Sequence, residues 1–259
     1  MTLKLNETVE VYKEFYGRNV EQMPKLIAEG RIPMSVAGLM QRRLEVRNSD
    51  ADVKSSYLDN YFDTGDAVVY HPDGRVKIVL DSQTLRDMTS ESPRSNGALI
   101  LANEVYDTLQ GEEFEKENLG KINERLLRED AKAHPVWKVL ARDQTLLNDY
   151  VDYIFAERNQ RFHYDTAMGV FLDSKGDNPK LRAWYISRLE YGSDVGSRCD
   201  LGNDDGRFAG YLAPEAPQNF SEKEKIIRPN LEQVLELRKS YVPSVLQEEF
   251  EKEIRKLYQ

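Results

Sequence analysis

Residues 67–80 read AVVYHPDGRVKIVL and carry a clear β-structure pattern. Ala67–Tyr70 form a short run of β-prone residues, and the sequence HPDG at residues 71–74 is a strong turn signal. In Val76–Leu80 the apolar residues alternate with Lys77, as expected for a strand. Because the two runs flank a Pro-Asp-Gly turn, this stretch predicts a β-hairpin.

Outward from the hairpin, the sequence is dominated by apolar residues at helical spacing. Asp143 is a predicted N-cap, and Asn178–Pro179 supplies a cap and a first-turn proline. A further short strand is predicted at Phe208–Leu212. Because strands are few and several helices separate them, the predicted fold class is α+β, mainly helical with a small β-hairpin/sheet element. The predicted helices cover residues 9–16, both sides of Gly30–Pro33, 98–109, 119–127, 143–155, 178–191, and segments that begin at Ser221 and Ser244.

The segment TSESPRSNG, residues 89–97, is rich in Ser, Pro, Asn and Gly and is the best candidate for a linker. A single compact domain over residues 1–259 is the favoured prediction. The alternative is an N-terminal α+β subdomain over residues 1–90 and a helical domain over residues 97–259.

Composition restricts the class of protein. The chain has one cysteine, Cys199, so it has no intrachain disulfide, and a reducing, cytoplasmic location is expected. No apolar run is long enough to span a membrane, and none resembles a signal peptide. The net charge of -9 disfavours nucleic acid as a partner because it repels polyanions. The cofactor is unknown, and the oligomeric state stays open.

The first candidate site surrounds the glycine-rich stretch GSDVGSRCDLGNDDGRFAG, residues 192–210. Arginines offer planar donors for phosphate or carboxylate, aromatic rings offer stacking surface, and glycines allow close backbone approach. The mixture predicts a site for a small anionic or phosphorylated ligand, in a binding protein or an enzyme, with the side chains converging on one pocket. Alternatively, the arginines pair with nearby aspartates and the loop is a surface excursion. The predicted ligand-binding residues are Arg158, Arg161, His163, Tyr164, Arg182, Tyr185, Arg188 and Arg198.

The second candidate is a helix-turn-helix outline over residues 20–47. Guanidinium groups on its second helix could contact phosphates or guanine edges if that helix entered a major groove. The alternative is a structural helical hairpin with a solvated arginine face. The residues concerned are Arg31, Arg42, Arg43 and Arg47.

A third hypothesis is an interaction or structural protein that assembles through its helices. The sequence DLGNDDG, residues 200–206, does not match a calcium-binding loop, so no metal site is predicted. The sequence also lacks a phosphate-binding loop, a nucleophile elbow and a zinc-protease motif. No catalytic residue is therefore assigned, and whether the chain is an enzyme stays open.

Overall fold

The computed structural model describes residues 11–173 and 176–212, together with Glu251. The chain divides into two compact units, Met1–Ala213 and Pro214–Gln259. The fold described below belongs to the first unit. The helices predicted from Ser221 and Ser244 lie outside the described residues.

Eleven strands and eight α-helices make up the described fold. The strands are β1 (Tyr12–Tyr16), β2 (Arg31–Pro33), β3 (Phe62–Tyr70), β4 (Val76–Val79), β5 (Arg94–Ser95), β6 (Ala98–Ile100), β7 (Glu112–Phe114), β8 (Val170–Phe171), β9 (Lys180–Ile186), β10 (Val195–Gly196) and β11 (Arg207–Leu212). The helices are α1 (Asn19–Ala28), α2 (Val36–Glu45), α3 (Ala51–Leu58), α4 (Gln83–Arg86), α5 (Asn103–Thr108), α6 (Arg128–Ala133), α7 (Pro135–Ala141) and α8 (Gln144–Phe162). Short 3-10 turns lie at Val46–Asn48, Lys116–Asn118 and Leu189–Tyr191.

The eleven strands form one mixed sheet, and its main path of six strands has the order β1-β11-β3-β9-β10-β8. β3 pairs antiparallel with β4 and β9, and its first residues pair in parallel with β11. β6, which follows residues 89–97, pairs with β9 in this same sheet. Strands from both sides of the predicted linker therefore join one sheet.

β3 lies at the centre and is buried along its whole length. Successive side chains of a strand point to opposite faces, so Val68 and Tyr70 join one apolar cluster and Ala67 and Val69 join another. The first cluster includes residues of α2, α7 and α8. The second includes residues of α1 and α4. Helices therefore cover both faces of the sheet, which explains the nearly continuous apolar run in β3.

The predicted fold class, mainly helical with a small β element, is wrong. An eleven-stranded sheet organises the described residues. The helix predicted over residues 9–16 is β1 in its described part, and the helix predicted from Asn178–Pro179 is β9. Residues 98–109 form β6 and then the short helix α5. Because helices pack on both faces of the sheet, its strands lack the apolar and polar alternation that would have distinguished them from helices.

Several local predictions are confirmed. The hairpin at residues 67–80 is β3 and β4, paired from Ala67 with Val79 to Tyr70 with Val76. Asp143 caps α8, because its side chain accepts a hydrogen bond from the Leu146 amide at 2.7 Å. The strand predicted at Phe208–Leu212 is β11. Helices also lie on both sides of Gly30–Pro33, but β2 separates them and pairs with β11.

Among the described residues, no helix is both long and apolar enough to cross a membrane.

Candidate functional site

The candidate site lies at one end of the sheet, where β9 ends and where β3 and β11 begin. β3 is antiparallel to β9 and parallel to β11, so these three strand ends meet at the same edge. Tyr61 directly precedes β3, and Tyr185 is the penultimate residue of β9. The sheet thus brings together residues that are more than a hundred positions apart in the sequence.

A concavity of about 450 Å³ opens at this edge. We call it the aromatic groove, because four of its seven lining residues carry aromatic rings. Its lining comprises Tyr61, Phe171, Tyr185, Ser187, Arg188, Tyr191 and Asp194. Ligand sites are commonly concave and mostly apolar with a few polar groups, which is the character of this groove.

A second concavity of about 260 Å³ adjoins the groove and shares Tyr61 and Tyr185 with it. We call it the acidic pocket, because three aspartates line it. Its lining comprises Tyr61, Asp63, Tyr185, Arg198, Cys199, Asp200, Asn203, Asp205 and Gly206. On the other side, Arg188 connects the groove to a shallow depression that Asp59, Arg161, Phe162 and Glu190 complete.

Neighbouring residues fix the positions of the two shared tyrosines, Tyr61 and Tyr185. The Arg207 guanidinium lies over the ring of Tyr61, 5.4 Å from its centroid, and is hydrogen-bonded to the Asn60 side chain. Gly196 packs under Tyr185, where a Cβ atom would overlap the tyrosine ring. The absence of a side chain at this position lets the ring lie against the backbone of β10.

Two hydrogen bonds between Ser187 and Asp194 close the loop over residues 187–194, which forms one wall of the groove. The Ser187 amide donates to the Asp194 carbonyl at 2.8 Å, and the Asp194 amide donates to Ser187 Oγ at 2.9 Å. The Asp194 carboxylate accepts from the Gly169 amide at 2.7 Å and from Arg125 Nε at 3.2 Å. Burial raises the pKa of Asp194, while these two donors act against that rise. The polar groups of this wall are therefore largely occupied by internal bonds.

The floor of the acidic pocket contains a buried carboxyl group and a thiol. Asp63 is 2% exposed and accepts a hydrogen bond from the Arg207 amide at 2.8 Å. Burial raises the pKa of Asp63, and the charge of Asp205 acts in the same direction. Burial and then the adjacent Asp63 raise the pKa of Cys199 well above its usual value. At neutral pH Cys199 is therefore a thiol, and a thiol is a much weaker nucleophile than a thiolate.

The rim of the acidic pocket carries two exposed carboxylates, Asp200 and Asp205. Asp200 accepts a hydrogen bond from the Gly202 amide in its own loop at 2.9 Å. Neither carboxylate forms an ion pair with a described residue. By contrast, the neighbouring Asp204 pairs with Arg18 at 2.8 Å. The rim thus presents uncompensated negative charge to solvent.

The structure distributes the eight predicted ligand-binding residues over several places. Tyr185, Arg188 and Arg198 line the groove or the acidic pocket. Arg161 lies in the adjoining depression and pairs with Asp59 at 2.9 Å. The exposed His163 ends α8 with φ of 60°, outside these concavities.

Two of the predicted arginines are inside the fold instead. Arg182 is 5% exposed, pairs with Asp173 at 2.9 Å and donates to the Cys199 carbonyl at 2.6 Å. Arg158 is 2% exposed, and its guanidinium lies 4.8 Å from the ring centroid of Tyr164. Burial lowers the pKa of Arg158. Neither side chain lines the groove or the acidic pocket.

The four arginines considered for nucleic-acid binding do not form one exposed surface. Arg43 is fully buried and makes five hydrogen bonds within the core. Arg42 is largely covered, pairs with Glu45 at 3.3 Å and lies over the Tyr12 ring. Arg31 donates to the Val11 carbonyl at 3.1 Å, whereas Arg47 is exposed. A helix whose central arginine is enclosed by the core cannot present that arginine to a DNA groove.

A larger concavity of about 520 Å³ lies between the β3–β4 turn and residues 115–123, but Arg75 there is paired with Asp73 at 2.8 Å and with Glu113 at 3.0 Å. In the part of the chain that the structure describes, no group of three or more His, Cys, Asp or Glu side chains is placed to hold a metal ion.

Sequence reasoning pointed to the glycine-rich loop but missed Tyr61, Phe171, Tyr191 and Asp194. The available signal was position: Tyr61 directly precedes a buried apolar strand, where an aromatic residue often lies half in the core and half in solvent, and Tyr191 directly precedes the glycine-rich loop. Tyr61 and Phe171 approach the loop through strand pairing, which their spacing in the sequence does not reveal.

Comparisons with known proteins give one informative match. No protein-family model matches the chain, and no curated protein does. The chain is similar to a solved structure described as "Accommodation of massive sequence variation in Nanoarchaeota by the C-type lectin fold". The TM-score is 0.60 at 15% sequence identity, and the match covers 80% of this chain and 99% of the other.

The described unit has the C-type lectin fold. Identity of 15% is evidence for the fold alone, because one fold can support many unrelated functions. Within this C-type lectin fold, aromatic rings and exposed carboxylates converge at the aromatic groove and the acidic pocket.

Proposed function

We propose that this chain is a binding protein that holds its partner in the aromatic groove and the adjoining acidic pocket. The observation that carries the proposal is the convergence of Tyr61, Phe171, Tyr185 and Tyr191 on one concave edge. Tyrosine and arginine are enriched at recognition surfaces because each combines a large contact area with polar groups. Tyr191, the exposed ring among these four, lies in a turn between strands, the usual location of recognition residues on a rigid scaffold.

The exposure of a groove side chain outside the hydrophobic core supports this proposal. Tyr191 is 49% exposed, so its ring contributes little to the buried clusters. The solved structure with the C-type lectin fold is described as accommodating massive sequence variation. In this chain we infer a similar division, in which the sheet and helices maintain the fold and the groove residues select the partner.

A small anionic or phosphorylated ligand is the alternative, and Arg188 is the observation that favours it. Arg188 lines both the groove and the adjoining depression, and its side chain is 41% exposed. It already donates to the Tyr191 hydroxyl at 2.7 Å and lies 3.5 Å from Glu190. An anion would have to compete with these contacts, so we rank this alternative second.

A thermal-shift screen of the full chain tests the proposal against peptides, saccharides, nucleotides and sugar phosphates. A ligand that binds the native state raises the melting temperature by mass action. We expect any stabilising ligand to lose its effect on Tyr191→Ala and to keep it on Leu127→Ala, an exposed apolar residue outside the groove. Ligands that stabilise both variants equally would place the site elsewhere. Stabilisation by phosphorylated ligands that is lost in Arg188→Gln would favour the alternative.

A further inference from the structure

The aromatic groove suits an apolar side chain better than a polar ligand. Among its polar residues, Ser187 and Asp194 are bonded to each other, and the Asp194 carboxylate also accepts from Gly169 and Arg125. A saccharide bound there would lose water from its hydroxyl groups and find few free partners, which costs free energy. An apolar side chain has no such requirement, and its burial against Phe171 and Tyr191 is favourable.

The acidic pocket suits a cationic side chain. The carboxylates of Asp200 and Asp205 are free of ion pairs with described residues, and Tyr61 and Tyr185 form aromatic walls. A cation in such a place gains from the carboxylates and from the negative faces of the rings. The pKa of Tyr61 is raised chiefly by burial, and the charges of Asp205 and Asp63 add to that rise, as expected where the local potential is negative.

The two arginines nearest the acidic pocket, Arg198 and Arg207, have partners outside its lining. Arg198 lines the pocket, but its guanidinium donates to the Leu172 carbonyl and to Asn123 Oδ1, both at 3.2 Å and both outside the pocket lining. Arg207 lies behind Tyr61 and pairs with Glu14 at 2.9 Å. The net charge of -9 for the chain also attracts a basic partner over long range.

We infer that this edge docks a polypeptide segment that places an apolar side chain in the aromatic groove and a neighbouring lysine or arginine in the acidic pocket. The two concavities share Tyr61 and Tyr185, so adjacent side chains of one segment can occupy both. A polypeptide offers apolar and cationic groups side by side. A neutral saccharide lacks the cation, and a nucleic acid is repelled by the aspartates. The inference rests on the proposed function and specifies the chemistry of its partner.

Selection of displayed random peptides on the full chain tests the inference without presuming a sequence. We expect the selected peptides to be enriched in lysine or arginine next to an apolar residue. The double variant Asp200→Asn/Asp205→Asn should weaken their binding by about ten-fold, and added salt should reproduce part of that loss. Both positions are exposed, so the substitutions preserve the fold. The matched control is Asp107→Asn/Asp149→Asn, which removes two exposed carboxylates outside the pocket and should leave affinity unchanged.

The outcomes separate this inference from the proposed function. Peptides that lack basic residues, or that bind the Asp200→Asn/Asp205→Asn variant as tightly as the parent, would overturn the inference. If the binding of these peptides is still lost in Tyr191→Ala, the groove keeps its proposed role.

Selection of no peptide, or a saccharide that binds through Tyr191, would also overturn the inference. Self-association that Tyr191→Ala abolishes would assign the groove to a second copy of the chain instead. Peptides that bind the Tyr191→Ala variant with unchanged affinity would contradict both the inference and the proposed function.

Discussion

Arg43 Nη2, deep in the core, donates a hydrogen bond to the backbone carbonyl of Ser187 at 3.1 Å. The same atom donates to the Asn60 carbonyl at 3.2 Å, and Nη1 donates to Ser193 Oγ at 3.2 Å. The three acceptor residues, Asn60, Ser187 and Ser193, directly precede three groove residues in the chain. These groove residues are Tyr61, Arg188 and Asp194, so the Arg43 guanidinium fixes all three through their neighbours. One buried guanidinium on α2 therefore ties three segments of the candidate site to the core.

We expect Arg43→Met to destabilise the fold by at least about 3 kcal/mol, because several buried acceptors would lose their donor together. Nε and Nη1 also serve the Tyr57 carbonyl and the Tyr150 hydroxyl, so methionine cannot replace the network. Chemical denaturation measures the change. The control is Arg47→Met on the same segment, where an exposed side chain should alter stability by no more than about 0.5 kcal/mol. Equal effects of the two substitutions would contradict the role assigned to Arg43.

Arg43 also shows where sequence reasoning fails. Two helices around Gly30–Pro33 were predicted, and α1 and α2 confirm them. The sequence predicts the arginines of the second helix either as DNA contacts or as a solvated face of a structural hairpin, because charged residues are rarely fully buried. Five acceptors make burial of this arginine favourable, and all five are backbone carbonyls or hydroxyl groups that no spacing in the sequence identifies.

β9 illustrates why the sheet was underestimated. Leu181 and Ala183 point to one face, and Trp184 and Ile186 point to the other, so the strand is apolar on both sides. An apolar run covered on both faces cannot be told from a buried helix by periodicity, and Asn178–Pro179 added a false cap signal. The β3–β4 hairpin was predictable because its turn residues are local. The candidate site was predictable only in its glycine-rich loop, since strand pairing supplies the rest.

Gly196 is expected to control the position of Tyr185. A Cβ atom at residue 196 would overlap the outer end of the tyrosine ring, so Gly196→Ala should push the ring into the groove. We expect a loss of about 1–3 kcal/mol in stability from overpacking and weaker peptide binding. Aromatic NMR signals of Tyr185 and peptide affinity are the measurements. Gly176→Ala is the matched control, because its Cβ would meet Lys180 at an ordinary 3.5 Å and it lines neither concavity. An unshifted Tyr185 signal in the Gly196 variant would contradict this account.

Asp66 is expected to stabilise the fold as a buried carboxylate with three donors. It accepts from the Val36 amide at 2.8 Å, the Asp81 amide at 2.9 Å and Arg142 Nη2 at 2.7 Å. Asp66→Asn would leave the arginine without its buried partner and direct an amide group at a donor, which should cost about 3–5 kcal/mol. Asp81→Asn, which removes an exposed partner of the same arginine, should cost no more than about 1 kcal/mol. Urea denaturation of both variants checks this difference, and comparable losses would show that burial of Asp66 is not the decisive factor.

His134 is expected to make stability depend on pH. It is 4% exposed and its Nε2 lies 2.9 Å from the Lys121 carbonyl, so the neutral ring donates there. Burial lowers the pKa of His134 below its usual value of about 6.5. Between the lowered pKa and about 6.5, the unfolded chain binds a proton that the folded chain does not, so this group's contribution to stability rises with pH and is lost on acidification.

The buried carboxyls of Asp66 and Asp194 have raised pKa values and act in the opposite sense, so the histidine must be isolated by comparison. His134→Gln keeps a donor for the Lys121 carbonyl and cannot be protonated. We therefore expect the free energy of unfolding of the native chain to fall more steeply than that of the variant as pH is lowered from about 7 to 5. Urea denaturation across this range measures both slopes. Parallel slopes would show that His134 titrates alike in the folded and unfolded chains, and that its burial carries no penalty for protonation.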